Sequence, residues 1–176
     1  MQQQESLLKT LEKSLDFERR GSEFYIKLGI DTKQALAKNL FYNLAKQEID
    51  HIIRIEGIFN AIKQDVPWPE ISARKISEIE NEMKKVFDKL GRHARKVELD
   101  NIEGYRLAID MEKQGYEMYK EFSKKAIDER EKQFFAAMTE EEKKHLEALD
   151  NVYYFLTESK DWLSVEESKV WNWMSI

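Results

Sequence analysis

Apolar residues recur at helical spacing along most of the chain. Leu8, Leu11, Leu15, Phe17, Phe24 and Leu28 predict a first helix from about Glu5 to Leu28, with Gly29 ending it. Asp31 followed by Gln34 resembles an acidic capping box, so a second helix is expected to start there. It runs through Leu36, Leu40, Leu44, Ile52, Ile55 and Phe59. It must stop before Pro67-Trp68-Pro69, because the residue before a proline is pushed out of the helical region. A connecting segment follows from about Ser72 to Leu99, with Ile76, Ile79, Met83, Val86, Phe87 and Leu90 on one stripe and Gly91 closing it. A third bundle helix is expected from Asp100 or Asn101, both good caps, to about Ala126. Asp128 with Glu131 marks the start of a fourth, which continues through Phe134, Phe135, Met138, Leu146, Leu149, Val152 and Phe155. After Ser159 the chain carries Trp162, Trp171 and Trp173 without a clear period. These tryptophans suit a cap on the bundle or an oligomer contact better than a ligand site.

This pattern is an all-α four-helix bundle of two short-loop hairpins joined by one long helical crossover. A single long crossover is the ferritin-like version of the bundle. The expected domain is 1–158, with the crossover at 67–99 and a C-terminal tail at 159–176. A connecting helix of ~15 residues reaches ~22 Å along the bundle at 1.5 Å per residue. The alternative is a simple up-down bundle with the extra helix packed outside.

Composition fits long helices and narrows the function. Charged residues make up 36% of the 176 residues, and only 6 Gly and 2 Pro are available for turns. The formal net charge of -5, with both signs interspersed, argues against a dedicated nucleic-acid binder, which usually carries a basic stripe. No apolar run approaches the ~20 residues needed to cross a bilayer. The start, Met1-Gln2-Gln3-Gln4-Glu5, lacks a signal-peptide core, so the expected location is the cytoplasm. With no cysteine, disulfides, thiolate zinc sites and iron–sulfur clusters are excluded within these residues, and any metal must sit on His and carboxylates.

The chain also repeats itself. At a constant offset of 94 residues, Glu18, Glu48 and His51 fall on Glu112, Glu142 and His145. Asp16, Gly21, Glu23, Tyr25 and Phe41 fall on Asp110, Gly115, Glu117, Tyr119 and Phe135. The hairpins look like two copies of one unit packed about a pseudo-two-fold axis. Glu18 and Glu48 lie at similar distances on either side of the turn near Ile30, as do Glu112 and Glu142 around Ile127. In antiparallel hairpins all four carboxylates can therefore meet in one layer.

Residues i and i+3 share a helix face, ~5–6 Å apart at Cβ. Glu48-Ile49-Asp50-His51 and Glu142-Lys143-Lys144-His145 thus each aim a carboxylate and an imidazole the same way. With Glu18 and Glu112 they form the ligand pattern of di-iron and di-manganese carboxylate bundles. Four carboxylates in a bundle core repel one another and lose hydration, whereas two divalent cations balance them. Oxygen and imidazole donors suit Fe, Mn or Zn. A single Glu-x-x-His is common on solvated helix faces; the shared offset gives this pair its weight. Glu23 and Glu117 sit five residues past the first carboxylates and point away, so they are expected to be solvated or to take part in hairpin packing. Tyr25 and Tyr119 sit seven residues on, back on the ligand face, as core aromatics or as hydrogen-bond partners of a ligand carboxylate. Gln47 and Glu141 are candidates to orient a histidine. Met111, Met118 and Met138 read as core filler, and His93 as a surface residue.

At these residues the chain resembles the di-iron domain of rubrerythrin, in the ferritin-like superfamily, over roughly Leu7 to Phe155. The segments Ala108-Ile109-Asp110-Met111-Glu112 and Tyr119-Lys120-Glu121-Phe122 carry the likeness most clearly. The resemblance implies two metal ions, most often iron, bridged by Glu48 and Glu142. Glu18 and Glu112 would be terminal carboxylates, and His51 and His145 would each ligate one metal. It implies an oxidoreductase that reduces hydrogen peroxide, or reacts with dioxygen, in the cytoplasm as a homodimer or larger assembly. There are two departures. The family's additional glutamate, three residues after the terminal one on the third helix, is Gly115 here, and it serves the redox-linked movement of one iron. The four-cysteine rubredoxin module is missing from these residues, so electrons must come from a separate redox protein. A ferroxidase or iron-handling protein, a metal-stabilised non-enzymatic bundle and manganese catalase chemistry are the competing readings. No nucleic-acid or membrane partner is expected.

Overall fold

The computed structural model describes residues 2–69 and 102–157, which form four α-helices: α1 Gln2–Asp31, α2 Ala35–Gln64, α3 Ile102–Lys125 and α4 Glu129–Thr157. The expected crossover helix, His93, the caps Asp100 and Asn101 and the tail tryptophans lie outside the described residues.

The boundaries follow the sequence with two corrections. Gly29 does not end the first helix, which continues to Asp31. A Cβ at Gly29 would lie 2.7 Å from Cε1 of Tyr42 on α2, so glycine is needed for a close helix–helix approach rather than for a turn. The capping box at Asp31 does not form either. Gln34 is the N-cap of α2 without a side-chain cap bond, and its backbone N–H instead donates to Thr32 Oγ1 at 3.2 Å. The second helix stops ahead of Pro67, as expected. Asp65 turns left-handed at φ 54°, and Val66 N–H donates to the Ala61 carbonyl at 3.0 Å. At the start of α4, Asp128 Oδ1 accepts from the backbone N–H groups of Arg130 and Glu131 at 2.9 and 3.4 Å, the expected cap.

α1 packs along α2 and α3 along α4, and the hairpins meet where α1 touches α3 and α2 touches α4. Contacts between the hairpins fix the directions. Tyr25 of α1 meets Glu112 of α3, and Glu18 meets Tyr119, so these helices are antiparallel. His51 meets Glu141 and Gln47 meets His145, so α2 and α4 are antiparallel too. With α1 and α2 antiparallel in their hairpin, α2 and α3 must run in the same direction. The end of α2 and the start of α3 then lie at opposite ends of the bundle. That is the ferritin-like connectivity, and it rules out the simple up-down alternative.

The core divides into two clusters. One holds Tyr25, Leu28, Leu40, Phe41 and Leu44 with Tyr105, Leu149 and Val152. The other holds Leu11, Ile55 and Ile58 with Tyr119, Phe134, Phe135 and Met138. Shifting the first set by 94 residues in either direction reproduces most of the second, as a pseudo-two-fold axis requires. Burying each large apolar side chain is worth about 1.5–3 kcal/mol, so each cluster locks its end of the bundle. The layer left between them is polar.

Candidate metal centre

That layer holds Glu18, Glu48, His51, Glu112, Glu142 and His145, one or two residues from each helix, all at most 2% exposed. Their side chains form two overlapping groups. Ligand atoms of Glu18, Glu48, His51 and Glu142 all lie within 4.8 Å of one another, as do those of Glu48, Glu112, Glu142 and His145. Glu48 and Glu142 belong to both groups. His51 Nδ1 lies 3.0 Å from Glu18 Oε2 and 3.3 Å from both Glu48 Oε2 and Glu142 Oε1. His145 Nδ1 lies 3.2 Å from Glu48 Oε1 and 3.3 Å from Glu112 Oε2. The imidazole rings stack with centroids 5.4 Å apart and planes 14° from parallel.

The outer contacts cross between hairpins. The Tyr25 hydroxyl donates to Glu112 Oε1, and the Tyr119 hydroxyl donates to Glu18 Oε1. Both rings are fully buried, and burial together with the facing carboxylates holds both phenols well above their ordinary 10, so they remain donors. The far nitrogens of the histidines are also held across the interface. His51 Nε2 lies 3.0 Å from Glu141 Oε2, and His145 Nε2 lies 2.9 Å from Gln47 Oε1. Glu141 is gripped in turn by Arg54 through bonds of 2.9 and 2.5 Å. Burial opposes ionisation of Glu141, but the bonds from His51 and Arg54 outweigh it and hold the carboxyl well below its usual range. Arg54 was not singled out from the sequence. The available signal was its place three residues past His51, on the same helix face. Glu23 and Glu117 are exposed, and Met138 is in the core, as expected.

The protonation of the cluster shows what it lacks. Burial and then Glu48 push the Glu18 carboxyl from 4.5 up to about 8, against the pull of His51. Burial and the other three carboxylates raise Glu142 well above 4.5. Burial also opposes ionisation of Glu48, but the Glu18 carboxyl and then the positive charge of the neighbouring imidazoles hold it well below. Burial disfavours charge on His51 and His145 too, yet the surrounding carboxylates keep both imidazoliums well above 6.5. Protons thus stand in for positive charge. Even so, Glu112 Oε2, Glu142 Oε1 and His145 Nδ1 are buried without a hydrogen-bond partner. Inward-facing carboxylate oxygens, with imidazole nitrogens that become donors once their protons leave, fit a pair of divalent first-row cations.

A model of the rubrerythrin family matches residues 9–153, with a second match over 103–171. The chain belongs to the rubrerythrin family. No curated protein and no solved structure matches it. Family membership and the two carboxylate–histidine groups together mark this layer as a dinuclear metal site. The position expected to carry the family's additional glutamate, Gly115, is buried among close neighbours. A Cβ at Gly115 would meet Glu142 Oε2 at 2.4 Å and Phe17 Cε1 at 2.8 Å. The repeat-related Gly21 is roomier, with Glu48 Cγ 3.5 Å from its Cβ position. The space that an added side chain would need is already taken by Glu142 and Phe17. Among the described residues no helix is long and apolar enough to cross a membrane.

Proposed function

We propose that this rubrerythrin-family protein is a di-iron oxidoreductase that reduces hydrogen peroxide with electrons from a separate redox protein. The observation that carries the reading is the sharing of Glu48 and Glu142 between two four-residue groups, as bridging carboxylates require. Glu18 and His51 would complete one position, and Glu112 and His145 the other. With iron bound, these residues would hold a source of two electrons for the reaction H2O2 + 2H+ + 2e− giving two waters.

The chain's own residues set the conditions for that chemistry. The two apolar clusters close the layer from both ends of the bundle and exclude bulk water, which strengthens every charge interaction inside it. Tyr25 and Tyr119 each occupy one oxygen of a terminal carboxylate, leaving Glu112 and Glu18 with one inward oxygen. Contacts at Nε2 direct Nδ1 of both histidines toward the carboxylates. The 176 residues contain no cysteine, so a thiolate-bound iron electron carrier cannot be built from them.

The test is reoxidation of the anaerobically reduced, iron-loaded protein. Faster reaction with peroxide than with dioxygen is expected; an equal or slower reaction contradicts a peroxidase role. A second reading, ferroxidase or iron handling, is favoured by Gly115, because the side chain tied to redox-linked iron movement is missing at this position. It requires repeated Fe(II) oxidation with more than two irons retained per chain, and a strict stop at two excludes storage.

A further inference from the structure

The internal repeat makes each half of the site a control for the other. The inward-facing ligands obey the repeat, but the groups behind the histidines do not. Gln47 corresponds to Glu141, and Arg54 corresponds to Ala148. His51 Nε2 is therefore backed by a carboxylate oxygen at 3.0 Å, and His145 Nε2 by an amide oxygen at 2.9 Å. The carboxylate is fixed by the Arg54 fork at 2.9 and 2.5 Å, and both side chains are about four-fifths buried, at 19% and 21% exposure. Ala148 can offer nothing comparable to Gln47.

The chemistry of the difference is specific. In both histidines Nδ1 faces the carboxylate layer, so Nε2 carries the hydrogen and donates it outward. An N–H that donates to a carboxylate passes electron density into the ring and makes the opposite nitrogen a stronger ligand. A neutral amide does this far less. Charge-assisted bonds are also roughly twice as strong as neutral ones, so His51 is held in place more firmly than His145.

We propose that the two metal positions are unequal: the Glu18–His51 position, backed by Glu141 and Arg54, binds its ion first and more tightly, while the Glu112–His145 position, backed by Gln47, is the exchangeable one. Glu141 is then a positioning residue for the tight ion, and its identity at 141, against glutamine at 47, sets the order of filling. The inference rests on the dinuclear reading of the site.

The test is an anaerobic titration of the metal-free protein with Co(II), followed by visible absorption, on the full chain and on three isosteric variants. The unmodified protein should bind two equivalents in two separate steps. Glu141→Gln should weaken the first step by ~10–100-fold, the range for losing a partner of a ligating histidine, and leave the second unchanged. Gln47→Glu should tighten the second step and leave the first unchanged. The exchanged pair, Glu141→Gln with Gln47→Glu, should restore a gap between the steps. In Glu141→Gln the amide keeps an acceptor oxygen in place for the largely buried Arg54, and circular dichroism checks that the variant folds. Repulsion between two bound ions also separates two steps, but it leaves the gap intact in Glu141→Gln. A single step of two equal ions, or a gap untouched by Glu141→Gln, overturns the inference while leaving the dinuclear site standing. Failure to bind two Co(II) ions overturns both.

Discussion

The Tyr25 hydroxyl on α1 donates a hydrogen bond to Glu112 Oε1 on α3, pinning a ligand-layer carboxylate of one hairpin from the other. Its repeat mate does the reverse, from Tyr119 to Glu18. A buried carboxylate oxygen deprived of its donor costs about 1–3 kcal/mol, more when charged. Tyr25→Phe and Tyr119→Phe should each lower the stability of the metal-loaded protein by about that amount. They should also weaken metal binding by ~10-fold or more. Chemical denaturation and a competition titration with a chelator check both. Loss of stability with unchanged metal affinity would reduce the tyrosines to core aromatics.

The two related glycines should respond differently to alanine. At Gly115 the new methyl meets the end of the Glu142 side chain and the Phe17 ring, so the fold survives and the cost falls on Glu142. Gly115→Ala should still give a helical protein but hold fewer than two metals per chain. At Gly21 the nearest contact is an ordinary 3.5 Å, so Gly21→Ala should gain about 0.5–1 kcal/mol from helix propensity and keep both metals. Far-UV circular dichroism, thermal melting and elemental analysis separate the cases. Equal metal loss in both variants would show that the close approach at Gly115 has no functional consequence.

Metal must displace the protons that stand in for it. At neutral pH the metal-free cluster holds protons on two imidazoles, His51 and His145, and on two raised carboxyls, Glu18 and Glu142. Binding of two divalent ions near pH 7 should therefore release about four protons, since ligands bind metal deprotonated. Calorimetry in buffers of different ionisation enthalpy counts them. Release of none would contradict the protonated, metal-free cluster.

The same shifts set a pH dependence for the metal-free protein. The folded value for Glu18, about 8, lies above its ordinary 4.5, so the folded state binds the extra proton between those values. The stability this group contributes is complete below 4.5 and is lost as pH rises through about 8. Glu142, His51 and His145 are raised as well and act in the same direction. Thermal midpoints of the metal-free protein should fall as pH rises from about 5 to about 9, while the metal-loaded protein should lack this loss. A midpoint that rises with pH over that window would reverse the assigned sign.

The ligand layer was legible in the sequence because two independent periodicities coincide there. Glu-x-x-His fixes a face within one helix, and the 94-residue offset fixes which helices share a level. The crossed tyrosine bonds were half legible. Seven residues return Tyr25 and Tyr119 to the ligand face, but nothing in a linear pattern says that each reaches the opposite hairpin. Gln47 and Glu141 were identifiable by their position beside the shared glutamates, whereas Arg54 had only its place three residues past His51 to mark it and no repeat mate to support it, since that position is Ala148. Gly29 misled for a different reason. A glycine at a helix end and a glycine under a neighbouring ring look alike in sequence, and only the 2.7 Å approach of Tyr42 distinguishes them.

Glu48 and Glu142 would join the two halves of the proposed dinuclear centre. This role is tested most directly by elemental analysis of anaerobically purified protein beside Glu48→Ala prepared in the same way. Two metal ions per chain are expected in the unmodified protein, with loss of both positions in the variant, because one side chain would serve both. Two ions per chain retained by Glu48→Ala would contradict it.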